Sequence, residues 1–131
     1  MLVIRDEQMR AFTAQACKEF EEGRVPELKL RFPVAFERLQ EAGVRRLVAR
    51  AIVVARQLGI NSENDVGDLL DLMLLLGESF CDDPAYEFEC SPLRDRDLPP
   101  EARMALTMAR FGLTSPISEA QSLPTASDAH E

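Results

Sequence analysis

Histidine is almost missing from this chain of 131 residues: only His130 is present, one position from the end. That excludes a Ser-His or Cys-His dyad within a folded site, because the base would have to come from the terminal segment. Tryptophan is absent and Tyr86 is the only tyrosine. There is thus no aromatic platform for sugar rings, and the core must be built from leucine and the seven phenylalanines. The three cysteines, Cys17, Cys81 and Cys90, are odd in number and show no CxxC spacing, so a disulfide framework is not expected. A structural zinc site needs about four ligands, which three cysteines and a terminal histidine do not supply. No glycine-rich phosphate loop occurs, and Gly59, Gly67 and Gly77 stand singly. Uncharged runs fall well short of the roughly 20 residues a membrane helix needs.

Positive charge is also scarce. The net charge is −8 and the pI about 4.7. Phosphate repels such a surface, so nucleic acid is excluded as the expected partner. The charge is unevenly spread. Residues 1–56 carry 11 bases and 8 acids, whereas residues 57–93 carry nine acids and no Lys or Arg. This asymmetry can steer a basic partner to the acidic half, or simply keep the surface solvated. Arginine outnumbers lysine 13 to 2, which is compatible with a GC-rich bacterial genome. Met1-Leu2-Val3-Ile4 runs directly into Arg5-Asp6-Glu7, so no signal peptide is expected. With the cysteine pattern, that places the protein in a reducing cytoplasm.

Within the acidic window, residues 69–76 read LLDLMLLL. Seven of the eight are apolar, more than one helical face can hold, so the segment must be buried nearly all round or cover a partner. The rest of the chain reads as helices around it. A first helix is expected from Asp6 to Gly23, with Met9, Phe12, Ala16 and Phe20 inward. Residues 25–42 are helical but broken near Phe32, restarting with Pro33 in a first turn. Leu28, Phe32, Phe36 and Leu39 should face inward, and Gly43 should separate the next helix.

Residues 44–58 are clearly amphipathic, with Val44, Leu47, Val48, Ala51, Ala55 and Leu58 on one stripe, and Gly59 stops them. Ser62 and Asp65 form a capping-box signature for the leucine-rich helix, 63–76. Residues 78–100 read as a loop with short turns. A last helix spans 100–111, with Ala102, Leu106 and Ala109 as apolar positions. The expected fold is all-α: one domain, 1–112, a compact bundle of about five helices, followed by a flexible tail over 113–131.

Few groups are placed to do chemistry. Asp82 and Asp83 beside Cys81 should raise its thiol pKa and make it a poor nucleophile. Cys81 and Cys90 are read as two unrelated thiols near each other rather than an oxidised pair. Asp82, Asp83, Glu87 and Glu89 are acidic enough to attract calcium, but they lack EF-hand spacing and its glycine, so loop solvation is the simpler account. Asp65, Asp68 and Asp71 recur at i, i+3 and i+6 as an acidic stripe. Paired carboxylates serve glycosidases as acid and base. Ion pairing with Arg45, Arg46, Arg50 or Arg56 on the preceding helix is the more economical reading.

A set of local patterns adds a family resemblance. They are Met1-Leu-Val-Ile-Arg-Asp-Glu-Gln-Met9, then Leu30-Arg31-Phe32-Pro33, Gly43-Val44-Arg45 and Leu58-Gly59-Ile60. Asp65-Val66 leads through Asp71-Leu72-Met73 to Gly77 and Phe80. Asp83-Pro84-Ala85-Tyr86 precedes Leu98-Pro99-Pro100-Glu101-Ala102-Arg103. In this order, over about residues 1–111, they resemble small bacterial proteins encoded with type VI secretion genes, beside spike proteins, PAAR-tip toxins and adaptor chaperones. The resemblance implies a non-catalytic accessory or co-chaperone role in toxin loading, by binding the adaptor, effector or spike. It brings no catalytic residue, cofactor or metal. Gly43, Gly77, Asp83-Pro84 and Tyr86 match its pattern, and a fold-keeping role explains them equally well.

On this reading, binding is expected through Leu72, Leu75 or Leu76 where exposed, together with Asp82, Asp83 or Tyr86 on the adjacent loop. The alternative is that all three leucines are core. Two other functions stay open. One is an immunity protein whose acidic face covers a basic toxin. The other is a small carboxylate-dependent hydrolase using Asp65, Asp68 and Asp71. Self-association through an exposed leucine face is open too.

Overall fold

A computed structural model describes residues 14–115, 117 and 118. Among them there are five α-helices and no strand: α1 (Ala14–Arg31), α2 (Pro33–Leu58), α3 (Glu63–Leu76), α4 (Glu87–Cys90) and α5 (Pro100–Phe111). Short 3₁₀ turns at Phe80–Asp82, Pro84–Tyr86 and Ser91–Arg94 surround α4. The all-α bundle expected from the sequence is therefore the fold. None of the described helices is long and apolar enough to cross a membrane. The expected extended start, the helix onset at Asp6, Met9, Phe12, His130 and most of the predicted tail lie outside the described residues.

The leucine-rich segment is the hub. Ser62 caps α3, its Oγ accepting from the Asp65 backbone N–H at 3.1 Å. Val66, Gly67 and every residue from Leu69 to Leu74 are buried, so α3 is wrapped nearly all round. It packs against α2 on one side and α5 on the other. On α2 the predicted stripe Val44, Leu47, Val48, Ala51 and Ala55 is buried, joined by Ile52. Leu58 is partly buried against the same core.

Four local expectations change. First, α1 does not stop at Gly23 but runs through it and Pro26 to Arg31. Phe20, Val25 and Leu28 carry one buried face across the Gly–Pro stretch, and packing on α2 outweighs the hydrogen bond that Pro26 forfeits. Phe32 then joins the helices, with its side chain fully buried and Pro33 opening α2 as expected. Second, the break inside α2 falls at Gln40 (φ 65, ψ 166), not at Gly43. Gln40 Nε2 donates to the Glu37 carbonyl, one of the acceptors such a break frees. Gly43 is buried where helix and side chain crowd: a Cβ there would sit 3.1 Å from Leu39 Cβ.

Third, α5 presents Met104, Met108 and Phe111 inward with Arg103 and Thr107, leaving Leu106 and Ala109 exposed. The two methionines and the phenylalanine bury far more apolar area than the alanines of the expected stripe. Fourth, the domain does not end at residue 112. Leu113 and Ile117 are core residues, Ile117 with no exposed surface. Two side chains hold this segment down. Arg31 Nη1 donates to the Ile117 carbonyl at 2.6 Å, and Ser115 Oγ is 2.9 Å from Asp68.

Candidate functional site

The predicted binding residues separate into two groups. Leu72 has 0% exposure, so it is a core residue with no surface through which to touch a partner. Leu75 and Leu76 are half-buried and pack against the core. Burial of residues 69–74 takes up most of the leucine-rich face, and Leu75 and Leu76 keep part of their surface at its C-terminal end. Asp82 and Asp83 are exposed, and Tyr86 is half-buried with its ring edge-on to Phe111 at 5.4 Å.

The segment carrying these three residues, from Gly77 to Leu93, is built to be held. Gly77 takes φ 117, ψ 154, a conformation essentially reserved for glycine, which turns the chain out of α3. Phe80, Cys90 and Leu93 are anchored in the core, and Phe80 also meets Phe111 edge-on at 6.2 Å. Asp83 caps the Pro84–Tyr86 turn, its Oδ1 accepting from Ala85 N–H at 2.9 Å. Two arginines brace the loop. Arg94 donates to the Cys81 carbonyl and lies 3.4 Å from Asp82. Arg110 of α5 donates to the Phe88 carbonyl at 2.7 Å and to Ser91 Oγ at 3.0 Å. Its guanidinium also lies 4.2 Å from the Phe88 ring centroid.

This bracing fixes an acidic surface. Asp82, Asp83 and Glu87 are exposed, and between Glu87 and Glu89 stands Phe88, 66% exposed. A large aromatic so displayed, with its backbone tied down, is the feature sequence reading missed. The signal was the run Glu87-Phe88-Glu89, an aromatic residue set between two acids in a proline-bounded segment.

The acidic stripe on α3 is inward-facing and differently paired from expectation. Asp71, 1% exposed, accepts from Arg31 of α1 at 2.8 and 3.4 Å. Burial raises its carboxyl to about 6, against the opposing pull of Arg31. Burial likewise raises Asp68, which is held by Ser115 and lies in the field of Arg24 and Arg31, and Asp65, which bonds back to Ser62. Two of the expected α2 partners pair elsewhere: Arg45 with Glu21 and Glu41, Arg50 with Glu78. The reason is geometric. Asp68 and Asp71 face α1 and the stretch holding Ser115 and Ile117, so arginines of α1 reach them.

Beside the loop, a cleft of about 220 Å³ opens between α2, α3 and the Phe80–Asp82 turn. Its walls include Val54, Met73, Phe80 and Cys81, and Arg50 and Arg94 stand among its charged groups. The Cys81 thiol is held below its usual range, contrary to the effect expected from Asp82 and Asp83. The neighbouring Cys90 thiol and the Arg94 charge outweigh burial and Asp82. No group of three or more His, Cys, Asp or Glu among the described residues is arranged to hold a metal ion. Compared with known protein families, curated proteins and solved structures, the chain matches none.

Proposed function

We propose that this protein is a non-catalytic, cytoplasmic binding factor that docks a basic protein surface on its 82–88 loop, serving type VI effector loading or delivery. The observation that carries the reading is Phe88, 66% exposed and braced by Arg110 within an acidic surround. An aromatic anchor with a fixed backbone loses little entropy on binding, and aromatic residues are enriched among those that dominate interface energies. The flanking carboxylates of Asp82, Asp83 and Glu87 attract positive charge during encounter. The setting, an adaptor, toxin or spike as the client, comes from the sequence resemblance alone.

The test is affinity capture from the native bacterium with the tagged full chain, run beside a Phe88→Ser variant. Recovery of a secretion adaptor, effector or spike in fixed ratio, lost in the variant, is the expected result. Equal recovery by both proteins removes the loop from the interface, and recovery of no secretion component removes the setting. The same acidic, aromatic-tipped face also fits an immunity protein covering a basic toxin. Protection of cells expressing a neighbouring toxin gene distinguishes that role, because a loading factor gives no protection.

A further inference from the structure

Cys81 and Cys90 are nine residues apart, but the fold brings them together. The Phe80–Asp82 turn packs directly on α4, whose last residue is Cys90. The Cys90 Sγ lies 3.9 Å from the carbonyl of Phe80, the residue before Cys81, and the ionisation of each thiol responds to the other. Their access to solvent differs sharply. Cys81 is only partly buried and lines the cleft beside Arg94, whereas Cys90 has 0% exposure.

We propose that Cys81 and Cys90 form a peroxide-modified thiol pair, in which a small hydroperoxide entering the cleft attacks only at Cys81 and Cys90 converts the product to an intrachain disulfide. The division of roles follows from access. A small oxidant in the cleft meets Cys81, while the buried Cys90 sulfur has Cys81 as its accessible neighbour. The electrostatics agree. Cys81 is shifted toward the thiolate, the nucleophilic form, while the neighbouring Cys81 and burial push the Cys90 thiol up and keep it protonated. A partly exposed, low-pKa cysteine beside a second thiol is the usual arrangement of a redox-sensing pair.

The chemistry balances with a hydroperoxide as the oxidant. The Cys81 sulfur attacks the terminal peroxide oxygen. An S–O bond forms, the O–O bond breaks, and the departing oxygen takes the proton lost by the thiol, leaving as water or an alcohol. The Cys90 sulfur then attacks the sulfenic sulfur. The S–S bond forms, the S–O bond breaks, and the Cys90 proton leaves with the hydroxyl as a second molecule of water. Two electrons pass from the thiols to the peroxide. The disulfide closes a ring around Asp82, Asp83, Tyr86 and Phe88, so oxidation acts on the same loop that displays the acidic face. The reaction belongs to the isolated protein and stands whichever partner binds.

The experiment treats the full reduced chain with hydrogen peroxide, blocks remaining thiols with iodoacetamide, and reads intact mass and disulfide-linked peptides. The expected product has lost two hydrogens, joins the Cys81 and Cys90 peptides, retains an alkylated Cys17, and reverts with dithiothreitol. Cys81 should be consumed at least about tenfold faster than Cys17. Cys90→Ser should stop at a sulfenic acid on Cys81 that dimedone captures, and Cys17→Ser should oxidise like the parent. Oxidation of Cys17 first, intermolecular dimers as the main product, or unchanged thiols after peroxide treatment that fully oxidises glutathione would each overturn the proposal. The peptide map of the unsubstituted protein decides this by itself if a serine variant does not fold.

Discussion

Replacing Arg31 with Met should expose how much of the fold depends on one buried ion pair. Arg31 is the only cation bonded to Asp71 among the described residues, and its Nη1 also holds the Ile117 carbonyl. Methionine keeps most of the stem volume but leaves the Asp71 carboxylate buried without its bonded cation, with only the more distant charge of Arg24 to offset it. Breaking a buried pair from one side typically costs about 3–5 kcal/mol, and a loss of that size is expected at neutral pH. The loss should shrink as pH falls, because a protonated Asp71 no longer needs the guanidinium.

The native protein shares this sign. With the Asp71 carboxyl raised from 3.8 to about 6 in the fold, the folded state holds the proton that the unfolded chain releases. This group's contribution to stability is therefore full below about pH 4, falls as pH rises through 6, and spans about 3 kcal/mol. Burial moves Asp65 and Asp68 the same way, so the contrast that isolates Asp71 is Asp71→Asn, which cannot titrate. The assay is urea unfolding followed by far-UV circular dichroism from about pH 4 to 7, since the chain has no tryptophan to report by fluorescence. Two results would refute the reasoning: Arg31→Met within about 1 kcal/mol of the parent at neutral pH, or an Asp71→Asn profile as steep as the parent's over this range.

Three further outcomes are expected. Gly59 ends α2 at φ 79 with Arg96 Nη1 only 2.9 Å from where a Cβ would stand, so Gly59→Ala should lose about 1–2 kcal/mol in the same urea assay. Thr107 is fully buried and its hydroxyl has no hydrogen-bond partner among the described residues, so the isosteric Thr107→Val should gain about 1 kcal/mol, seen as a higher melting temperature by circular dichroism. Phe88→Ser should leave stability within about 0.5 kcal/mol of the parent, yet weaken binding of the captured partner by about tenfold or more in titration calorimetry.

The sequence was most legible where periodicity and punctuation agree. The α2 stripe from Val44 to Ala55, the Ser62 cap, Pro33 and Pro100 in first turns, the stop at Gly59 and the end of the last helix at Phe111 all stand in the structure. It was least legible where tertiary packing overrules local preference. Gly23 and Pro26 together signal a stop, yet the buried face of Phe20, Val25 and Leu28 carries α1 through both. Leu113 and Ile117 sit among Gly, Thr, Ser and Pro, a composition that reads as a tail, and only the Arg31 and Ser115 contacts across the bundle reveal their burial. The acidic stripe was visible, but its partners were not, because helix spacing fixes which residues share a face and not which helix comes to meet it. The Cys81–Cys90 juxtaposition depends on how a loop folds back, which neither spacing nor propensity encodes.

These misreadings share a cause that bears on function. The leucine-rich segment attracted the binding hypothesis because it seemed too apolar for one face, but its residues 69–74 are buried among the neighbouring helices. Burying Asp71 within that core requires Arg31, and Arg31 in turn fastens Ile117, so the same pair also ties the end of α1 to the segment after α5. Surface capacity is left to the loop that leaves this hub at Gly77. Its buried anchors, Phe80, Cys90 and Leu93, are core residues like those of α3, whereas Asp82, Asp83, Glu87 and Phe88 project outward between them. Phe88 and Glu87 can thus vary without cost to the core, whereas Asp83 also caps a turn, and Phe80 and Cys90 are core residues. Substitutions at the first set should alter binding with the melting temperature unchanged, and substitutions at the second should lower both.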